Sequence, residues 1–294
     1  MSALGLGCNN FGGRLDAGVT LFDTADVYPM GVGGASEVFL GAGLAERHKN
    51  VVLATKFGMK MDEAGVKSGG SRRYIVAAIE ASLKRLNTDW IDLLQFHAPD
   101  ADTPIDETLA ALDDLIRVGK IRYIGSSNFS AWQLVEAQYA ARELGSNRFI
   151  VTQEGYSMLT RGIEAEVIPV CQKYGLGVLP YFPLESGVLT GKYSIGQAAP
   201  AGTRLATSPH LADQFMTSTK VAKASQLDAI AKAAGLGLND LAFAWLLRDA
   251  LVPSVIAGVS NAAQIDRNAQ AMAAPLGTDL LAKIGACLND HSDE

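Results

Sequence analysis

The fold class is clearest in the sequence Ile91-Asp-Leu-Leu-Gln-Phe96, followed by Leu109, Leu112 and Ile116 at helical spacing and then by Ile121-Arg-Tyr-Ile124. The two outer runs are short and apolar, as buried strands are, while the middle positions repeat as one face of a helix does. A helix between two strands returns the chain so that the strands lie parallel. The stretch therefore predicts a strand–helix–strand unit of a parallel sheet.

The same alternation of strand and helix runs along the whole chain. The apolar runs that predict strands lie at residues 3–6, 19–22, 51–55, 91–96, 121–124, 149–153, 176–181 and 252–256. Most are apolar on both faces, which is typical of parallel strands between a core and a helical layer. Eight such units favour an α/β fold, a (β/α)8 TIM barrel, as a single domain over residues 1–294. The alternative is a doubly wound open sheet, but Gly5-Leu-Gly7-Cys-Asn-Asn10 lacks the third glycine of its fingerprint.

Composition narrows the function classes. The chain has 25 Lys and Arg against 31 Asp and Glu, a formal charge of −6, which favours neither a nucleic-acid surface nor a polybasic membrane anchor. No apolar run approaches the length of a membrane span, and the N-terminus lacks a basic leader region, so we expect a cytoplasmic protein with no nucleic-acid or membrane partner. Three distant cysteines predict buried thiols and no metal site: Cys8, Cys171 and Cys287.

Four residues that can carry chemistry follow predicted strands. Asp23 and Tyr28 follow the second strand, Lys56 the third and His97 the fourth. Taken singly, each has an ordinary interpretation as a turn cap, a packing ring, a solvated end charge or a buried histidine. Together they would meet at the carboxyl end of a barrel, where active sites lie. A lysine beside a tyrosine lowers the phenol pKa, and such a phenol can donate a proton to a carbonyl oxygen.

The longer motifs around these residues are specific. They are Leu21-Phe-Asp-Thr-Ala-Asp-Val-Tyr28, Ala54-Thr-Lys-Phe-Gly58, Gly69-Gly-Ser-Arg-Arg-Tyr74, Asp89-Trp-Ile-Asp-Leu-Leu-Gln-Phe-His97, Ile124-Gly-Ser-Ser-Asn128, Pro180-Tyr-Phe-Pro-Leu-Glu-Ser-Gly-Val-Leu-Thr-Gly-Lys-Tyr193 and Val255-Ile-Ala-Gly258 with Gln264 and Asn268. In this order, over almost the whole chain, they resemble the aldo-keto reductases. The resemblance implies reduction of aldehydes or ketones to alcohols by direct hydride transfer from a nicotinamide cofactor.

The resemblance also implies roles for the four residues. Tyr28 would be the general acid, and Lys56, paired with Asp23, would lower the Tyr28 pKa. His97 would orient the carbonyl oxygen of the substrate, a small molecule. The main hypothesis is therefore an NADP(H)-dependent carbonyl reductase. The alternative is a nicotinamide-binding barrel without useful turnover, regulatory or catalytically impaired, as the β subunits of potassium channels largely are.

Cofactor contacts follow from the same resemblance. The nicotinamide carboxamide would be held by Ser127, Asn128 and Gln153, with the Tyr181 ring stacked on the nicotinamide. The pyrophosphate channel would be lined by Phe182, Leu184, Ser186 and Lys192, and the adenosine end by Gly258, Ser260, Gln264 and Asn268. Many relatives carry Arg or Lys where this chain has Ser260 and Gln264. NADP(H) is therefore the expected cofactor, with NAD(H) as the alternative.

One region departs from the family pattern, and a set of loops leaves the substrate undetermined. The residues between the first two strands are too few for the usual helix, so we expect the first βα unit to be truncated to an extended strap over residues 12–18, with apolar surface exposed nearby. The substrate depends on the loops at residues 57–70, 129–132 and 186–220, of which the last is expected to be a lid or binding loop. Neither the physiological substrate nor the oligomeric state follows from the sequence.

Overall fold

The computed structural model describes residues 1–8, 18–31 and 33–290, which form a barrel of parallel strands surrounded by helices. The strands are β1 (Leu4–Gly7), β2 (Leu21–Asp23), β3 (Val52–Phe57), β4 (Ile91–Phe96), β5 (Ile121–Ser127), β6 (Val151–Gly155), β7 (Gly177–Tyr181) and β8 (Val255–Gly258). Their hydrogen-bonded order is β7-β6-β5-β4-β3-β2-β1-β8, with every pair parallel. The Val178 N–H of β7 donates to the Leu251 carbonyl oxygen at 2.7 Å, shortly before β8, so the two end strands lie side by side.

This arrangement confirms the (β/α)8 barrel and all eight predicted strands, and the open-sheet alternative is wrong. The helices of the described residues are α1 (Ala35–Leu44), α2 (Arg72–Leu86), α3 (Ile105–Arg117), α4 (Ala131–Leu144), α5 (Val167–Tyr174), α6 (Arg204–Thr207), α7 (Pro209–Phe215), α8 (Ser218–Ala233), α9 (Leu238–Leu247), α10 (Ala262–Ala271) and α11 (Thr278–Asn289). Short 3-10 helices lie at Ala45–Asn50, Gly162–Glu164 and Glu185–Thr190. Most of the buried apolar side chains pack between the strands and this helical layer.

The interior of the barrel is layered. Leu21, Leu93, Val151 and Ile256, from the even-numbered strands, pack together as part of a separate apolar cluster inside the barrel. Side chains two residues apart on a strand share a face, so the next interior layer towards the carboxyl ends contains Asp23, Gln95 and Gln153. An apolar plug therefore lies directly beneath a polar layer at the end of the barrel where active sites form.

Residues 186–220 are more ordered than expected from a lid or binding loop. They include α6 and α7 and the start of α8. The first two helices have only four and seven residues, too few for helical periodicity to show in the sequence. The stretch is therefore not wholly irregular, and its role as a lid or binding loop stays a prediction.

The strap predicted over residues 12–18 lies, apart from Gly18, outside the described residues, so the truncated first unit stays a prediction. Cys8 and Cys171 are buried free thiols as expected, whereas Cys287 is only partly buried, which corrects the expectation for that residue. Within the described ranges no single helix is long and apolar enough to cross a membrane; α8 and α9 pass by length and composition only when taken together, and they are bent by 93° at the break between them.

Candidate active site

A buried ion pair forms the floor of the candidate site. Lys56, on β3, donates from Nζ to Oδ2 of Asp23 at 2.5 Å and to the Thr24 carbonyl oxygen at 3.0 Å. Both charged side chains are almost fully buried. Burial by itself lowers the pKa of the Lys56 ammonium, but the adjacent Asp23 carboxylate outweighs this and raises it above its usual value. Lys56 therefore stays protonated at neutral pH, as a buried cation with a fixed partner.

The other oxygen of Asp23 is held by two amides. Gln95 of β4 and Gln153 of β6 each donate from Nε2 to Asp23 Oδ1 at 2.9 Å, and Gln153 also donates to Gln95 Oε1 at 3.3 Å. The two amide donors hold the Asp23 carboxyl group in a fixed orientation facing Lys56. Sequence reasoning missed Gln95 because it lies inside a run interpreted only as an apolar strand. It also placed Gln153 at the cofactor alone, whereas in the structure its amide reaches Asp23.

Tyr28 lies above the ion pair. Its hydroxyl is 3.4 Å from Nε2 of His97, and the Lys56 ammonium is 5.4 Å from the centre of its ring. The structure therefore brings together all four residues predicted at the strand ends. Burial raises the pKa of the Tyr28 phenol, with further increases from Asp23 and Asp26 that the nearby Lys56 and Arg204 only partly offset.

The net change in the Tyr28 pKa combines two opposing effects. Lys56 lowers the phenol pKa as expected, but burial outweighs this and the overall direction is upwards. The phenol consequently keeps its proton at neutral pH, which is the form that an acid needs.

His97 is present as a neutral ring. Burial, assisted by the charge of Lys56, lowers its pKa to about 3. Its Nδ1 atom is buried with no hydrogen-bond partner among the described residues, while Nε2 faces Tyr28. The Asn128 side chain donates to the His97 carbonyl oxygen at 2.9 Å and so ties the end of β4 to the end of β5. A neutral imidazole beside a phenol can share a hydrogen bond with a carbonyl oxygen without adding charge.

The residues predicted to hold the nicotinamide carboxamide form one connected patch. Ser127 donates to the Gln153 carbonyl oxygen at 2.8 Å, and Asn128 donates to Ser127 Oγ at 3.1 Å. The Tyr181 hydroxyl donates to Asn128 Oδ1 at 2.8 Å, and Asn128 itself has a positive φ of 61°. The predicted stacking residue is therefore beside the predicted carboxamide contacts, at the mouth of the site.

The segment after β7 contains the predicted pyrophosphate residues. The Phe182 ring lies between those of Tyr181 and Phe215, with centroid distances of 5.4 and 5.0 Å. Leu184 packs partly buried against the core. Ser186 has a buried Oγ with no hydrogen-bond partner among the described residues. The exposed Lys192 lies against Gly187, where a Cβ atom would come within 2.6 Å of the Lys192 Nζ.

Arg204 of α6 is a candidate that sequence reasoning missed. Its half-buried guanidinium lies 5.5 Å from the centre of the Phe182 ring and is close enough to Tyr28 to affect the Tyr28 pKa. Burial lowers the pKa of Arg204, and it makes no ion pair with a carboxylate in the part of the chain that is described. Nothing in the sequence set this arginine apart, since it lies in a stretch without clear periodicity. Such a cation suits an anionic ligand.

The predicted adenosine residues lie at the end of β8 and the start of α10. Gly258 ends the strand, Ser260 is exposed in the turn, and Asn268 is buried on the helix. Asn261 caps α10 by accepting from the Gln264 N–H at 3.1 Å, and Gln264 Oε1 accepts from the Ser260 N–H at 2.7 Å. Gln264 is thus at the helix N-terminus as expected, but its side chain already occupies one of the amides that a phosphate could use.

Comparisons with known proteins identify the family of this chain. The profile of the aldo/keto reductase family matches residues 13–289. A probable voltage-gated potassium channel β subunit of Arabidopsis thaliana is 38% identical over 87% of this chain and 79% of its own. The L-glyceraldehyde 3-phosphate reductase of Escherichia coli is 31% identical over 87% of this chain and 76% of its own, and the uncharacterized oxidoreductase YrpG of Bacillus subtilis is 35% identical over 91% and 82%. The chain therefore belongs to the aldo/keto reductase family of oxidoreductases.

Proposed function

We propose that the chain reduces aldehydes or ketones to alcohols with NADP(H), with Tyr28 as the proton donor. One observation carries the proposal: the Tyr28 hydroxyl is 3.4 Å from His97 Nε2, directly above the buried pair of Lys56 and Asp23. This is the arrangement that a general acid needs, because a protonated phenol and a neutral imidazole point at one position where a carbonyl oxygen can be bound.

The side chains of the site polarise the carbonyl group and supply the proton. A carbonyl oxygen placed between Tyr28 and His97 accepts a hydrogen bond from each, which polarises the C=O bond. When bound, the reduced nicotinamide supplies a hydride to the carbonyl carbon. Tyr28 then gives its proton to the oxygen, and the resulting phenolate is stabilised by the ammonium of Lys56, which Asp23 holds in place. The products are an alcohol and the oxidised cofactor.

The residues of this chain suit a nicotinamide dinucleotide. The buried Ser186 hydroxyl has no partner among the described residues, so it and the half-buried Arg204 guanidinium can meet phosphate groups. The NH2 groups of Asn128 and Gln153 already donate within the protein, but their amide oxygens can accept from a carboxamide. The exposed turn at Ser260 and the N-terminus of α10 suit a 2′-phosphate, which favours NADP(H). Because Gln264 brings no positive charge to the start of α10, NAD(H) remains the alternative cofactor.

The substrate proposed is a small carbonyl compound. The similarity to a protein named L-glyceraldehyde 3-phosphate reductase makes aldehydes the first group to test. The assay follows the absorbance of NADPH, and separately of NADH, with a panel of simple aldehydes, ketones and L-glyceraldehyde 3-phosphate.

Oxidation of NADPH that depends on the carbonyl compound would support the proposal. Tight binding of NADPH with no turnover on any member of the panel would instead favour a nicotinamide-binding regulatory barrel, consistent with the similarity to potassium channel β subunits. Failure to bind either nucleotide would contradict both functions.

A further inference from the structure

A buried carboxylate lies in the middle of the segment proposed to hold the cofactor pyrophosphate. Glu185 is fully buried, and it comes directly before Ser186, whose hydroxyl has no hydrogen-bond partner within the described ranges. A negative charge at this position repels a pyrophosphate unless a cation cancels it. Three non-glycine residues here also adopt the left-handed region, with φ of 53° at Phe182, 50° at Glu185 and 53° at Ser186. Such conformations persist only where neighbouring contacts hold them.

Those contacts come from two other parts of the barrel. Lys220, in the first turn of α8, donates from Nζ to Glu185 Oε2 at 2.5 Å and to Thr160 Oγ1 at 3.0 Å. Ser157, in the turn after β6, donates from its hydroxyl to Glu185 Oε1 and accepts from the Thr160 N–H at 2.9 Å. We call Ser157, Glu185 and Lys220 the Glu185 latch. It joins the turn after β6, the segment after β7 and the start of α8.

Lys220 is well placed to cancel the charge of Glu185. Its side chain is 22% exposed against 1% for that of Glu185, so the cation reaches the carboxylate from the outer side. Its Nζ is also 5.0 Å from the centre of the Phe215 ring, which packs on Phe182. Lys220 lies 16 residues beyond Arg204 in the chain and was not among the residues predicted to contact a cofactor.

We propose that Lys220 is a positioning residue that neutralises Glu185, so that the segment after β7 can accept the pyrophosphate of the cofactor. This rests on the proposed function, since it assumes that a nicotinamide dinucleotide binds there. Lys220 acts through Glu185. Its loss would expose a bound pyrophosphate to an uncompensated carboxylate, whereas loss of the Glu185 charge would not.

The two single variants therefore have unequal expected effects. Lys220→Met should weaken NADPH binding by about tenfold or more, because a buried carboxylate without its partner is costly and faces another anion. Glu185→Gln should leave binding within about threefold of wild type, because the amide still accepts from Ser157 and carries no charge. The double variant Glu185→Gln/Lys220→Met should bind nearly as well as Glu185→Gln alone. Affinity is measured by titrating the protein with NADPH and following its intrinsic fluorescence, with a thermal melt of each variant.

Lys232→Met is the matched control. Lys232 is on the same helix, pairs with Asp228 at 2.6 Å and is 72% exposed, so its loss changes the net charge equally without touching the latch. Its NADPH affinity should equal that of the wild type.

Equal losses of NADPH affinity in the two single variants would overturn the proposal. If Glu185→Gln weakens binding as much as Lys220→Met does, or if the double variant does not recover, the pair only supports the fold. Should Lys220→Met fail to fold, Glu185→Gln and the double variant still decide, since a tenfold loss in either contradicts charge cancellation. If the wild type binds NADPH and every variant binds it with the same affinity, the role of the Glu185 latch is overturned and the proposed function is not. Wild-type protein that binds neither NADPH nor NADP⁺ would overturn the proposed function and this role of Lys220 with it.

Discussion

Gln95 donates from Nε2 to Oδ1 of Asp23 at 2.9 Å, deep inside the barrel and without exposure to solvent. The bond crosses from β4 to β2 and lies one layer above the apolar plug. Lys56 binds the other oxygen of the same carboxylate. Gln95, a neutral and fully buried residue, therefore helps Gln153 to orient the ion pair beneath Tyr28.

Replacing Gln95 should change how activity depends on pH. In Gln95→Glu the new carboxyl group can donate to Asp23 only while it is protonated, and once ionised it adds a second negative charge that Lys56 alone cannot balance. We expect reductase activity to be retained best at acidic pH and to fall as the pH rises towards neutral. The measurement is kcat for NADPH-dependent reduction against pH.

Gln95→Leu is the control for this prediction, because it removes the same hydrogen bond without adding a titratable group. Its activity should be lower than that of the wild type by a similar factor at every pH. Parallel pH profiles for Gln95→Glu and the wild type would contradict a positioning role for Gln95.

Ionisation of Asp26 should lower the free energy of unfolding as the pH rises. Its carboxyl is buried and close to Glu37, and these raise its pKa to about 7, despite the nearby Arg85 and a hydrogen bond from Tyr74. Between its ordinary value of 3.8 and about 7 the folded state holds a proton that the unfolded state has lost. The contribution of this group to stability therefore falls as the pH rises through that window.

The Asp26→Asn variant cannot ionise and escapes this loss. Its stability relative to the wild type should increase between pH 5 and pH 8, by roughly 1 kcal/mol for each pH unit crossed within the window. Urea denaturation at the two pH values measures the difference. Asp102→Asn, at an exposed position, controls for the loss of a charge. A relative stability that does not depend on pH would show that Asp26 is not held in its neutral form.

Gln264→Arg should shift cofactor preference. The substitution removes the side-chain oxygen that accepts from the Ser260 N–H, and so frees this amide, while it adds a bidentate donor at the start of α10. NADPH should bind more tightly than to the wild type, and NADH should change little. Titrations with both nucleotides provide the comparison. Equal changes for the two would place Gln264 away from the 2′-phosphate.

The fold was predictable because buried parallel strands leave a local signal. Runs such as Ile91–Phe96 are apolar on both faces whatever surrounds them, and the predicted strand matches β4 at both ends. The juxtaposition of Asp23, Tyr28, Lys56 and His97 also followed, since the carboxyl ends of barrel strands meet at one face.

Other features depend on contacts between distant residues. Gln95 is separated from Asp23 by 72 positions, and only the closed barrel brings the two together. The upward direction of the Tyr28 pKa reflects burial, which the spacing of Lys56 and Tyr28 does not encode. Arg204 lies on α6, which has only four residues, and Lys220 lies in the first turn of the sixteen-residue α8. Helical periodicity in the sequence does not place either side chain at the site.

The Tyr28→Phe variant decides whether Tyr28 is the proton donor. The variant keeps the ring and removes the hydroxyl 3.4 Å from His97, so no proton can pass from this residue to a carbonyl oxygen. The measurement is kcat for NADPH-dependent reduction of the best aldehyde, together with the NADPH dissociation constant of the same variant. We expect kcat to fall by a factor on the order of 10² or more while NADPH affinity stays close to that of the wild type. A Tyr28→Phe variant that binds NADPH normally and keeps most of its turnover would contradict this expectation.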